Sequence, residues 1–373
     1  MALPLIIGGV ALAAGIFGAK KGVDAKNNYA KAKSIVGVAL EDLENSNKKL
    51  SIQRSKTSDD LQTLGEARLR AEGELITRFL ATVKLVNQIN YQPITIGDIE
   101  VSISIPELQA MEVSSYQAAD LLKDGIGAIS SGVLTGIGAS GLASTIGVAS
   151  TGTAIGSLTG VAATNATLAW LGGGSLAAGG MGMAGGMAVL GGAIMGPVIA
   201  VMGYSAAKKS EHALSNAFEK EYEIRVAAEQ FQNGIAVLAT ITQRCEEMQE
   251  VMRGIAQRFH VVLDQTERNF SNKNKILLRL REESERKKAE DANRGFFVRI
   301  WRRITGQKTD YSFKNPFDFN NFSAQEKTSY TIMMGYGYSL NALLKAKVID
   351  DDGAVTDESE AVVIDAKKIL EAI

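Results

Sequence analysis

Side chains that commonly do chemistry are scarce in this sequence. Among 373 residues there is one cysteine, Cys245, and there are two histidines, His212 and His260. Zinc sites and nucleophilic triads need several such groups brought to one point, so most metal and triad chemistries lack ligands here. A lone cysteine also gives no disulfide framework. Dinucleotide cradles are imitated twice, where Gly136-Gly138-Gly141 and Gly180-Gly182-Gly185 satisfy G-x-G-x-x-G. Neither follows a hydrophobic strand, and neither has an acidic residue about 20 positions later to hold a ribose. Both are by-products of glycine density. "IDDDGAVTDESE" has Gly353 where a calcium loop has its glycine, but Val348 and Ser359 then fall at the first and last ligand positions, so the ligand set fails. The sequence predicts neither enzyme activity nor a cofactor.

What it has instead is a segregation of charge. From Gly125 to Ala207, 83 residues pass without Asp, Glu, Lys, Arg or His. This run has 22 glycines, no Phe and only 20 Leu, Ile and Val. Gly152, Gly156 and Gly160 form G-x-x-x-G-x-x-x-G, and the pairs Gly132/Gly136, Gly182/Gly186 and Gly192/Gly196 repeat the spacing. On a helix such glycines bare a stripe of backbone, so two helices approach closely and gain dispersion contacts in lipid. In water each glycine costs a helix roughly 1 kcal/mol relative to Ala. The run suits a packed protein interior or a helix–helix interface in a bilayer. Segments near 126–148, 151–171 and 181–203 each reach the roughly 20 residues of a span, but all are diluted by Gly, Ser and Thr.

The flanking elements would position this run. Residues 2–19 are uncharged and are followed by Lys20 and Lys21. A secretory signal carries its basic residues before the apolar part, so this stretch reads as an apolar anchor or buried helix. Residues 24–91 hold no proline and three glycines, a helical composition, with the polar "SNKKLSIQRSKTSDD" marking a break. Ile99, Val101, Ile103 and Ile105 alternate with polar residues, as in a strand, and Gly97-Asp98 would turn a short strand at 94–96 back onto it. Phe231, Ile235, Leu238, Ile241, Cys245, Met248, Met252, Ile255, Phe259 and Val262 recur at steps of three and four, a coiled-coil seam. Cys245 lies on that seam as a core residue, and His260 falls just off it, facing solvent.

Residues 271–308 carry twelve Lys or Arg against five Asp or Glu. At their end, Phe296, Ile300 and Ile304 share one helical face, flanked by Phe297 and Trp301, with Arg299, Arg302 and Arg303 on the other side. This pattern predicts a helix lying on an anionic membrane in preference to a nucleic-acid patch or a solvated helix end. The last stretch reads as two helices, with Thr356 as an N-cap.

The sequence therefore divides into an apolar segment (1–22), a long helical stalk (23–92), a short β element (93–106), a helix (107–124), the glycine-zipper run (125–207), a coiled-coil helix (208–270), a basic amphipathic region (271–308) and an acidic helical region (309–373). The predicted fold is mainly α: long antiparallel helices in a coiled coil, a Gly/Ala-rich apolar helical hairpin region and a short β-hairpin.

A weakly hydrophobic hairpin between two long amphipathic helices, with a β element nearby, resembles the cytolysin A-type α-helical pore-forming proteins over roughly residues 24–270. "TNATLAWLGGGSLAAGG" and "IIGGVALAAGIFGAKKG" are similar to stretches of bacterial glycine-zipper proteins. The first resemblance implies conditional insertion and an oligomeric pore or membrane-perturbing effector; the alternative is a constitutive inner-membrane anchor or scaffold whose coiled coil recruits a partner. Expected partners are a bilayer rich in anionic lipid, further copies of the chain, and a protein bound through the coiled coil or the C-terminal region. The expected location is the bacterial inner membrane, alongside a soluble cytoplasmic form.

Overall fold

The computed structural model describes residues 19–87, 94–96, 99–101, 103–123, 125–129, 131–142, 213–293, 300–301, 304–305, 311–350 and 353–372. Outside them lie the expectations for residues 1–18, for Gly152, Gly156, Gly160, Gly182, Gly186, Gly192 and Gly196, and for Phe296, Phe297, Arg299, Arg302 and Arg303. Among the described residues the chain is mainly helical.

Helix α1 (Ala19–Arg70), a π-helical turn (Ala71–Ile76) and α2 (Thr77–Leu85) follow one another with helical backbone at both joints. Together they make a rod of about 100 Å at 1.5 Å per residue. The break expected at residues 46–60 is absent. Leu43, Ser46, Leu50, Thr57, Leu61 and Leu64 are buried at steps of three, four or seven. The polar members find partners on α5 (Ala213–Ala292), the longest helix. Gln53 Nε2 donates to Thr242 Oγ1 at 3.2 Å, and the Thr57 and Thr242 hydroxyls lie 2.9 Å apart. A polar stretch stays helical when its inward hydroxyls and amides are satisfied across the contact.

After α2, strands β1 (Ile94–Ile96) and β2 (Ile99–Val101) pair antiparallel with Ile96 opposite Ile99. Helix α3 (Ile105–Leu121) opens on a capping box in which Ser104 and Glu107 satisfy each other's backbone N–H. A 3-10 turn (Ile126–Ala128) leads to α4 (Ser131–Ser140). Lys84 pairs with Glu112, Gly73 abuts Ala119 and Leu122, and Gly65 and Leu61 abut Leu134 and Gly138. As the rod's numbers fall those of α3 and α4 rise, so these two helices descend along it.

Helix α5 climbs again. Ser46 meets Gln232, Lys56 meets Glu246, and Arg78 meets Asp264 and Glu267, at sequence separations of 186 to 190. A nearly constant separation means that α1 and α5 run parallel. The expectation of antiparallel long helices is therefore overturned. The returning leg between them is α3–α4, and in an up-down-up arrangement the first and third legs point the same way. The predicted seam of α5 does face the rod, with Phe231, Leu238, Ile241, Cys245, Met248, Met252, Ile255 and Phe259 buried and Ile235 and Val262 half-buried.

Two shorter helices complete the body. The strap before them bonds back to α5 through Ser284 Oγ to the Tyr311 carbonyl and Lys273 Nζ to the Pro316 carbonyl. Helix α6 (Ala324–Lys345) starts from a Ser323/Glu326 capping box and descends, its Tyr336 ring 6.3 Å from that of Phe259. Helix α7 (Asp357–Ala372) starts with Thr356 Oγ1 accepting from Ser359 N at 3.1 Å, the predicted N-cap. It lies along α5 between Arg244, which pairs with Glu360, and Arg258, which donates to the Leu370 carbonyl. Among the described residues no helix is long and apolar enough to cross a membrane.

Candidate functional site

Among the described residues of the charge-free run, Ile126, Ile129 and helix α4 pack against the body. A chain with few bulky side chains can be held only by close approach and by its backbone polar groups, and both are used. Val133, Leu134, Ile137, Ala139 and Leu142 are buried, as are Thr135 and Ser140. Thr135 donates its hydroxyl back to the Ser131 carbonyl, which removes the cost of burying it.

The approach to α1 is backbone against backbone. A Cβ built on Gly138 would lie 1.9 Å from the Leu61 carbonyl oxygen, and one on Gly65 would lie 1.9 Å from the Leu134 carbonyl oxygen. Neither neighbour can give way without moving a helix. Eight residues further along the rod, in the π-helical turn, a Cβ on Gly73 would meet Leu122 Cδ1 at 2.7 Å. Two of the three glycines of residues 24–91 thus open one side of the rod to α3 and α4. Of the predicted stripe glycines, Gly132 and Gly136 lie in α4 and Gly136 is buried. The close contact itself is made by Gly138, with Gly65 as its partner.

The C-terminus of α4 is held by an arginine. Gly141 takes a φ of +74° and donates to the Ile137 carbonyl at 3.0 Å, closing the helix, and a Cβ there would also meet the Lys345 carbonyl oxygen at 2.3 Å. Arg68, on α1, is fully buried. Its Nη1 donates to the carbonyls of Ile137 at 2.9 Å and Gly138 at 3.1 Å, and its Nη2 to that of Ala346 at 2.7 Å. Ala346 is the C-cap of α6, so the guanidinium sits where two helices end. Each end carries roughly half a negative charge, and together they stand in for a carboxylate. Burial draws the Arg68 pKa down to about 10, against the fields of Cys245 and Glu358, which leaves it protonated at neutral pH. The Ala139 carbonyl takes N–H donors from Val348 at 2.7 Å and Ile349 at 3.2 Å, tying α4 also to the strand-like link after α6.

One turn above Arg68 lies a buried acid. Glu72 is 2 % exposed, in the π-helical turn against α3. Burial pushes its carboxyl up to about 7, opposed by a hydrogen bond with Ser114 and the field of Lys345. π-Turns widen a helix and recur where function needs a helix re-aimed.

The remaining candidates are placed more simply. Cys245 is buried, and burial pushes its thiol up to about 12, so it is a core group. The His260 side chain is 56 % exposed beside Asp264. Ile300, Trp301 and Ile304 are exposed, Ile304 at 78 %. In sequence they follow the far end of α5, whereas Gly132 and Gly136 lie on α4 against the middle of the rod. Sequence reasoning missed Gly65, Arg68 and Glu72. The signal was the pair of lone glycines in "GEARLRAEG", which a helix keeps at a cost and which therefore mark close approach.

This constellation holds α4 by the backbone approach at Gly65 and Gly138 and by the Arg68 guanidinium at its C-terminal carbonyls. Among the described residues no group of three His, Cys, Asp or Glu side chains could hold a metal ion. No protein-family model matches the sequence, and no curated protein or solved structure matches it either.

Proposed function

We propose that the protein is a membrane-interacting helical protein that inserts conditionally: its charge-free run is held against the helical body in a water-soluble form and transferred to a bilayer as an oligomerising pore or membrane-perturbing effector. The observation that carries this reading is the docking of α4. It is the first helix of an 83-residue stretch with no charge, and it is seated by Gly65, Gly138 and Arg68 on a rod that is itself richly charged. A span too weakly apolar to insert on its own is kept folded in water by such a seat. Lipid restores what release removes, because glycine-striped helices pack closely against one another there. The work is binding and assembly, with no catalysis and no cofactor. The bacterial inner membrane, with a soluble cytoplasmic form, is the location that fits this use.

The test compares full-length protein with and without vesicles of phosphatidylcholine and phosphatidylserine. The reading expects the protein to be soluble alone, to float with vesicles, to resist carbonate washing only after contact with them, and to release an entrapped dye. Gly138→Ala unseats α4 and should lower the protein concentration needed for release several-fold, with α1–α5 helicity retained. A protein already carbonate-resistant as isolated from cells would favour the anchor or scaffold reading. One that floats with no vesicle composition would remove the membrane reading.

A further inference from the structure

The C-terminal end of α4 is covered by the link that leads from α6 into α7. We propose that this link and α7 form a strap that locks α4 in its seat, so that α4 leaves the rod only after α7 has lifted from α5. The proposal rests on the membrane reading above and names the regulation of the same seat.

An unbroken set of bonds runs from α7 to α4. The described residues of the link are 346–350 and 353–356, and Ala346, Val348 and Ile349 are buried. The link folds back on itself. Ile349 bridges Val355, Gly353 turns the chain with a φ of +85°, and the Asp350 N–H donates to the Ala354 carbonyl at 2.9 Å. Thr356 closes the fold. Besides capping α7, it donates its N–H to the Val348 carbonyl at 3.1 Å and its hydroxyl to the Lys347 carbonyl. Val348 and Ile349 in turn donate their N–H groups to the Ala139 carbonyl of α4, and Arg68 holds the carbonyls of Ile137, Gly138 and Ala346 around one guanidinium. Withdrawing α4 alone strands the buried N–H groups of Val348 and Ile349, and a buried donor without a partner is costly. Lifting the link first admits water to them and removes that cost.

Helix α7 is the element suited to lift. Its inward face is Ser359, Val363, Ala366 and Ile369, and most of its other positions are exposed. It is tied to α5 by Arg244 with Glu360, whose side chain is 58 % exposed, and by Arg258 with the Leu370 carbonyl. Exposed pairs of this kind add little stability. A helix buried on one narrow face opens at lower cost than the core, whereas α4 is closed backbone against backbone.

Gly254 gives a handle on α7 alone. Beyond its own helix, a Cβ there would meet only Leu370 among the described residues, with Cδ1 at 3.2 Å. Gly254→Leu therefore presses on α7 without touching α4 or Arg68, and it raises the helix propensity of α5. In the full-length variant, amide exchange at residues 131–142 should speed at least about tenfold more than along α5. Dye release from phosphatidylcholine and phosphatidylserine vesicles should begin at a lower protein concentration. The converse variant carries Gly254→Cys and Leu370→Cys joined by a short bis-methanethiosulfonate crosslinker. Cys245 is buried, so the unmodified protein is the blank. The joined form should exchange more slowly at residues 131–142 and release no dye, and a reductant should reverse both effects. Unchanged exchange at residues 131–142 in both variants, with α7 freed in one and held in the other by exchange at residues 357–372, would overturn the strap. Speeding at residues 131–142 no greater than along α5 would overturn it too, because α7 would then be one packing element among others. Exchange that responds as stated in a protein that releases no dye in any form would keep the lock and remove the membrane use proposed for it.

Discussion

The two halves of the α1–α5 pair use the same kind of helix but are finished differently. From Leu61 to Val83 the rod is enclosed by α3, α4, α5 and α6, and even Arg68 and Glu72 are buried. From Ala32 to Leu50 the described helix that covers it is α5, and only the facing residues Ala32, Ala39, Leu43, Ser46 and Leu50 are buried while Val38 and Leu40 remain in solvent. The difference teaches where the packing of the body is concentrated. The enclosed half is a seat, closed by backbone contact and by polar groups that tolerate no displacement. The other half keeps Val38 and Leu40 in water.

Breaking the seat should give the largest effect. Gly138→Ala sets a Cβ against the Leu61 carbonyl, and overpacking of that kind costs about 3 kcal/mol when the neighbour is backbone. Chemical denaturation should show that loss, and hydrogen exchange should show it concentrated at residues 131–142. Next comes the buried acid. Because the Glu72 carboxyl is raised in the folded protein, its stabilisation is full below its unfolded value near 4.5 and is lost as pH rises through about 7. Between pH 5 and pH 8.5 the contact of α3 with the π-turn should weaken by roughly 2 to 3 kcal/mol. Glu72→Gln, which mimics the protonated form, should flatten that dependence; an unchanged pH profile in the variant would assign the dependence elsewhere. Arg68→Met should cost about 2 kcal/mol by leaving the ends of α4 and α6 without a donor, and Arg68→Lys should not restore it, since one ammonium cannot reach three carbonyls in a planar fork. The smallest effect belongs to the uncovered half. Tyr222→Ser should change stability by no more than about 0.5 kcal/mol in the same denaturation, which separates the two halves by packing.

Much of this was legible in the sequence. The period of α5 gave its inward face, Thr356 gave the start of α7, and the alternation from Ile99 marked β2, though the strand ends at Val101 and Ile105, expected to continue it, opens α3 behind the Ser104 cap. Direction was not legible, because a period of 3.6 says which face is buried and nothing about which way the partner runs. It follows from α3 and α4 descending along the rod, a tertiary fact. The polar stretch at 46–60 misled for a related reason. Its hydroxyls and amides satisfy one another across the α1–α5 contact, and a single sequence cannot show a partner 186 to 190 residues away. Arg68 and Glu72 looked like ordinary charges of a solvated helix. Their burial depends on Gly65 and Gly73 letting other helices come close, so only those two glycines carried a trace of the site.

The central claim is that the charge-free run leaves the body for lipid. The sequence supplies its own reporter, since Trp170 lies within the run and Trp301 is the other tryptophan of the chain. In full-length Trp301→Phe protein, the fluorescence of Trp170 should be indifferent to brominated lipid at concentrations too low for binding. Once the protein floats with phosphatidylserine-containing vesicles, Trp170 should lose most of its fluorescence to brominated chains, and the Gly138→Ala variant should reach that state at lower lipid. A protein that floats while Trp170 remains unquenched at every bromine depth would contradict the account, because the membrane would then be met without the run that the seat holds.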